Sequence, residues 1–270
     1  MFGNIYKTTW FGRPAYYGTG SSYYLTTGTG ILNGDFSEEG SELITNGDFA
    51  SDSDWTKGTG TTISGGKANF SSATGVSLYQ NIGTQSGTVK VTFTITNYTS
   101  GTLNVYSGGN KSVGTVNVTA NALGLYTVFV DRNGGNNNII FGSSSNFTGS
   151  IDNVSVVEVG QHWIYGPGWS TIDGEGRYTP PGAQYSNLRQ NASFTSGDVV
   201  RVQFNLTDND TNGIYVRIQS GTWSPLITGT GWKMFDLTVG STTNAQFEIG
   251  PGYATKSVAL DNIFIIPVVS

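Results

Sequence analysis

Two stretches of the chain close on nearly the same phrase. "GSIDNVSVVEV" ends at Val159 and "KSVALDNIFIIPVV" ends at Val269, placing Asp-Asn-aliphatic at 152–154 and again at 261–263. The interval, about 109 residues, is far longer than one turn of a solenoid and matches two copies of one small domain. With 270 residues there is enough chain for two modest cores. The fold must therefore be one that half of this chain can complete, ending each time on an extended aliphatic strand.

The phrases between the two endings repeat in order. "TVKVTFTITNYT" sets Val89, Val91, Phe93 and Ile95 on one face and Lys90, Thr92, Thr94 and Thr96 on the other, the period of a half-buried antiparallel strand. "SGDVVRVQFNLTDND" does the same with Val200, Val202, Phe204 and Leu206 inward and Arg201, Gln203 and Asn205 outward. "GTLNVYSGG" is matched by "NGIYVRIQSG", "LYTVFVDRN" by "KMFDLTVGS", and "NNIIFGSSS" by "NAQFEIGPG". Upstream, "GTTISGGKANF" (60–70) corresponds to "GWSTIDGEGRY" (168–178). Few residues are identical, yet the order of strands and turns persists, as in a divergent duplication.

Composition agrees. Only 11% of residues are charged, 13% are aromatic, and there are 39 glycines. Lys and Glu are too few to clothe helices, whereas Thr, Val, Tyr, Phe and Gly suit short strands and tight turns. The predicted fold class is all-β: two tandem antiparallel β-sandwich (jelly-roll) domains at 41–159 and 160–270, preceded by an irregular aromatic arm at 1–40. A net charge of −5 and the lack of a basic block argue against nucleic acid as a partner. No apolar run is long enough to span a bilayer, so no membrane insertion is expected. The chain has no cysteine, which removes disulfides and thiolate metal sites. The N-terminus has no signal-peptide pattern. Together these features suggest assembly in a cytoplasm and exit, if any, by lysis.

Residues 1–30 pack Phe2, Tyr6, Trp10, Phe11, Tyr16 and Tyr17 between glycines without helical or strand periodicity. Aromatics with few charges are the profile of an interface core, so these six are expected to anchor the chain in another protein. After them the phrase NGDF occurs twice, at 33–36 and 46–49. The second fits as the first strand of domain one. The first is either a strand of the arm or serves a domain elsewhere in space.

An opening "LITNGDF…W", alternating strands and a closing "GSIDNVSV" resemble the carbohydrate-binding-module jelly rolls of the CBM4/9 type, domains also found in bacteriophage tail and virion-surface proteins. The resemblance covers domain one, and domain two by its closing strand and strand order. It implies that first and last strands lie side by side with a structural calcium ion where they meet, placing Asp48 and Asp152 there; the alternative is that Asp152 and Asn153 bond nearby loop amides. Domain two shows no NGDF at its own start, which weakens the case for a site at Asp261. Sugar recognition uses aromatic faces against C–H-rich ring faces, with polar side chains on the hydroxyls. Domain two carries the better stock, namely Trp169, Tyr178, Tyr185, Trp223 and Trp232 with Arg217, and with Arg189 and Gln219 nearby. Each aromatic has the competing reading of core filler.

Catalysis is not expected. His162 is the one histidine, so His-based nucleophile activation or a three-histidine zinc site has little to draw on. Asp173 and Glu175 are ordinary turn residues. The reading that follows is a bacteriophage virion structural protein of tail-fibre or receptor-binding type. Its arm (1–40) would engage tail or capsid proteins, and its jelly rolls would face host-surface glycans. Homo-oligomers, trimers in particular, would add avidity. The alternatives are a capsid decoration or cement protein and a stand-alone carbohydrate-binding module.

Overall fold

The computed structural model describes residues 9–10, 13–14, 31–83, 87–107, 120–132, 137–180, 186–192, 194–209, 213–219, 221–240, 246–253 and 255–268. Anchor residues Phe2, Tyr6, Phe11, Tyr16 and Tyr17 lie outside them. Trp10 belongs to a short ladder, β1 (Thr9–Trp10) against β2 (Arg13–Pro14).

Domain one comprises β3 (Glu39–Glu42), β4 (Thr56–Lys57), β5 (Thr61–Ile63), β6 (Ala68–Asn81), β7 (Gly87–Ser100), β8 (Asn104–Ser107), β9 (Gly124–Arg132) and β10 (Asn138–Val159). All pairings are antiparallel, in the order β4-β6-β10-β7-β9, with β3 and β8 also on β10 and β5 also on β6. Strand β10 pairs with β8 at Ile139–Gly142 and with β7 at Thr148–Val159. It therefore passes from one layer to the other, and register shifts between Phe141 and Gly149 mark the bend. Phe49, Trp55, Phe93, Phe141 and Phe147 fill the space between the layers.

Domain two comprises β11 (Ile164–Tyr165), β12 (Trp169–Ile172), β13 (Glu175–Tyr178), β14 (Leu188–Asn191), β15 (Val199–Asn209), β16 (Ile214–Ile218), β17 (Gly231–Thr238), β18 (Gln246–Pro251) and β19 (Val258–Pro267). Here the layers are separate sheets, β11-β14-β18-β16 and β12-β13-β19-β15-β17. The prolines after Tyr178 and at the end of β18 remove main-chain donors where domain one keeps its two long strands continuous. Among the described residues there is no helix, and the all-β, two-sandwich class stands.

The two cores are distinct clusters, and the second contains Ile31 and Phe36. Residues 31–36 thus pack with 160–270, not with an arm ending at 40. The match to the second NGDF is detailed. Asn33 and Phe36 both have φ 49°, and Asn46 and Phe49 have φ 52° and 49°. The Ile263 amide donates to Gly34 O at 2.9 Å as the Val154 amide donates to Gly47 O at 2.8 Å. A Cβ on either glycine would collide with the carbonyl of that same partner, so this close approach requires Gly. Gln190 takes both main-chain groups of Leu32, at 2.6 and 2.8 Å. Gln80 does the same for Thr45, at 2.8 and 3.0 Å.

Each NGDF also has its tryptophan. Trp55 Nε1 donates to Asn46 O at 3.0 Å, and Trp163 Nε1 donates to Asn33 O at 2.9 Å. In domain one the tryptophan follows nine residues after the asparagine; in domain two, 130 residues after it. Domain one is inserted between them. Its ends meet, since Glu42 and Glu39 on β3 pair with Val157 and Val159 on β10, so the insertion interrupts its host at one place. The expectation that domain two lacks an NGDF is corrected: it uses the one written before domain one.

Phe36 is 2% exposed and stacks on Trp163 at 5.1 Å. Phe36→Ala should destabilise domain two by about 3–5 kcal/mol and leave domain one unchanged. Calorimetry resolving the two transitions checks this; equal shifts of both would contradict the separate cores.

Candidate functional site

Alternation in β16 buries Ile214, Val216 and Ile218 and turns Tyr215 and Arg217 to the outer face of the β11-β14-β18-β16 sheet. Register then fixes the neighbours. Tyr215 lies opposite Gly250, and Arg217 opposite Glu248, which on its other side faces Arg189. The segment after β16 folds back along the free edge of that strand. Ile214 and Ile227 exchange main-chain hydrogen bonds at 2.9 Å, and the Ser224 amide donates to Val216 O at 2.8 Å. That return places the Trp223 ring 4.4 Å from the Arg217 guanidinium carbon.

Beneath the ring Arg217 forks onto Glu248, Nε to Oε1 and Nη2 to Oε2, both at 3.0 Å. Asn187 Nδ2 adds a third bond to Oε2 at 2.9 Å. Glu248 is only 3% exposed, so these donors are what make a buried carboxylate tolerable.

Beside this stack opens a groove of about 350 Å³ lined by Asn187, Tyr215, Trp223, Gly250 and Pro251. A Cβ on Gly250 would lie 3.0 Å from Asn187 Oδ1 and 3.6 Å from the Trp223 ring edge. The glycine keeps the floor open, and Asn187 Oδ1, an acceptor, overhangs it. The groove thus offers two aromatic side chains, a polar acceptor and a floor without a side chain, inside the size range of small-ligand sites.

The residues singled out from sequence are dispersed. Arg217 and Trp223 come together at the groove. Trp169 and Tyr178, 4% and 0% exposed, are core residues packed on each other at 5.4 Å, with Trp169 Nε1 donating to Ser186 O. Both sit where β12 and β13 face the inside of the sandwich, which corrects their assignment to a glycan. Trp232 is 57% exposed but stands on β17, at the edge of the other sheet. Tyr185 lies outside the described residues. Asp48 Oδ1 accepts from the Ala50 amide at 3.2 Å and Asp152 Oδ1 from the Asn153 amide at 2.7 Å, bonds to loop amides. Among the described residues no three or more His, Cys, Asp or Glu side chains gather as metal ligands. Side chains alone form no cage there, and a calcium ion would draw chiefly on backbone carbonyls.

Sequence reading passed over Asn187, Tyr215, Glu248 and Gly250. The alternation that turned Arg217 outward also turns Tyr215 outward, and Glu248 sits between Phe247 and Ile249 in the same pattern. Asn187 and Gly250 become visible only through cross-strand register.

No family model matches the chain, and no curated protein matches it. A search of solved structures finds the N-terminal CBM22-1–CBM22-2 tandem domain of Paenibacillus barcinonensis Xyn10C, at 10% identity and a TM-score of 0.32, covering 85% of this chain and 98% of that one. At that level of overlap, function has to be read from the groove itself.

One carboxyl group near the Asn-Gly junction is unusual. Burial pushes Asp261 from 3.8 up to about 6; the Asn262 amide opposes this, and Asp35 and Glu175 add to the rise. The folded state therefore holds this proton more tightly than the unfolded chain. Its contribution to stability is complete below about pH 3.8 and is lost as pH rises through about 6. Asp261→Asn should gain stability relative to the native chain as pH rises from 4 to 7. Paired thermal melts across that window measure the difference, and a constant gap would refute it.

Proposed function

We propose that the chain is a non-catalytic saccharide-binding protein whose site is the Tyr215–Trp223 groove of domain two. The observation that carries this reading is the pairing of two aromatic side chains with an open glycine floor and an overhanging amide oxygen. Sugar rings present C–H faces to aromatics and hydroxyls to amides, and this groove supplies both in one place. Catalysis is not part of the proposal. Glu248 has both carboxylate oxygens taken by hydrogen bonds from Arg217 and Asn187. His162 is at the surface beside Glu38, 3.2 Å away.

The setting we propose is the surface of a bacteriophage virion, assembled in the host cytoplasm, with residues 1–30 engaging tail or capsid proteins. The support is the aromatic, charge-poor composition of that stretch. It is followed directly by Ile31 in the domain-two core, so whatever holds the arm also holds the groove-bearing domain. A capsid decoration role is served by the same arrangement. Oligomerisation, trimeric in particular, would multiply weak sugar contacts. Calcium at Asp48 and Asp152 is a separate proposal that rests on the CBM-type resemblance. A calcium-dependent, chelator-reversible rise in melting temperature that Asp152→Ala abolishes would support it, and no rise would remove it.

The binding reading is tested on a glycan array followed by titration of the best binders. Trp223→Ala should weaken binding by about tenfold or more, as loss of about 1.4 kcal/mol implies. Gly250→Val should block the floor with a similar or larger effect. A native chain that binds no saccharide, or a Trp223→Ala chain that binds as the native one does, would sink the proposal.

A further inference from the structure

The two domains can be compared position by position on their outer sheet face, because Gln80 and Gln190 make the same main-chain bonds at the same place in each. One residue along, the row across three strands is Tyr79–Ile140–Tyr106 in domain one and Arg189–Glu248–Arg217 in domain two. The fold accommodates an uncharged row at this site, in which the Tyr106 hydroxyl is also buried without a hydrogen-bond partner among the described residues. The charged row in domain two is therefore not a demand of the sandwich, and a buried ion pair is seldom a net source of stability over apolar packing.

The charges in that row do not balance. Both oxygens of Glu248 are taken by Arg217 and Asn187. Arg189 stands directly opposite Glu248, and its Nε is shielded from solvent with no hydrogen-bond partner among the described residues. The row thus holds two guanidinium groups and one carboxylate, which is bonded by Arg217 and not by Arg189, in a chain whose net charge is −5. Arg189 is two residues from Asn187, which lines the groove, and Ile164 closes the row on its other side. A shielded guanidinium donor without an acceptor is costly, and it is the terminal nitrogens of this half-buried side chain, not the shielded Nε, that can meet a carboxylate in two-point fashion.

We propose that the groove takes an acidic saccharide, with a sugar carboxylate received by Arg189 while the ring lies against Trp223 and Tyr215. This rests on the saccharide reading above and narrows it to uronic-acid-type chains. Asn187 and Gly250 position the ring, and Arg189 selects the charge. Domain one, with tyrosines in place of both arginines, lacks that selectivity.

The test titrates the full chain by calorimetry with oligogalacturonate, oligoalginate, carboxyl-reduced oligogalacturonate and a dextran sulfate oligosaccharide, which carries sulfate and no carboxylate, at low and high salt. The expected result is that at least one uronate chain binds, and that carboxyl reduction weakens oligogalacturonate about tenfold or more where that chain is the one bound. Binding should weaken with salt. Arg189→Gln should lose the preference for acid over reduced chain, and Arg189→Lys should keep part of it. Unchanged melting of both variants shows that the loss is not one of folding. Preference for dextran sulfate over every uronate overturns the carboxylate assignment in favour of sulfate. Equal binding of acidic and reduced chains, abolished by Trp223→Ala, overturns this inference and leaves a neutral-sugar groove. Failure of every probe, together with a glycan array showing no saccharide bound, overturns both readings.

Discussion

One main-chain hydrogen bond in each domain organises the rest: the amide of the aliphatic after Asp-Asn donates to the carbonyl of the glycine in NGDF. It ties the first segment of a domain to its last strand, the pair farthest apart in sequence within each unit. Everything around it serves that closure. The asparagine adopts positive φ so the chain can turn, the glycine leaves room for the partner carbonyl, and the phenylalanine two residues on drops into the core. A buried glutamine satisfies the preceding residue, and a tryptophan indole caps the asparagine carbonyl.

That closure also explains how one domain can be written inside another. The junction of domain two needs only residues 31–36 on one side of the chain and Trp163 and β19 on the other. Whatever lies between must begin and end at neighbouring points. Domain one does so because β3 and the end of β10 pair with each other, and Glu42 fastens the join by accepting from the Val156 amide and the Ser155 hydroxyl. The same logic couples the two units at their boundary, where the Thr171 amide donates to Thr88 Oγ1 at 3.3 Å.

Much of this was legible in the residues. Strand alternation, the paired endings and the matched turns identified two sandwiches, since period-2 patterns report directly on which face is buried. What alternation cannot report is which of two identical phrases closes which domain. NGDF at 33–36 and at 46–49 are equivalent locally, and only the three-dimensional partner, Ile263 or Val154, tells them apart. The aromatics failed for a related reason. Trp169 and Trp223 look alike in sequence, each beside glycine or threonine. Trp169 falls on a strand that faces inward, whereas Trp223 rides a return segment whose position depends on Ser224 and Ile227 meeting β16.

The division of labour between framework and face follows from these constraints. The inner faces and the junction are fixed by packing and main-chain bonding, so the two domains retain the same features there despite few shared residues. The outer face of the corresponding sheet in each domain lies outside the two hydrophobic cores, so its residues are not set by that packing. That is where domain one shows Tyr79, Ile140 and Tyr106 and domain two shows Arg189, Glu248 and Arg217. The same three-strand arrangement occurs in both domains, and the row of three residues differs in chemistry while the closure that holds the sheet in place is kept.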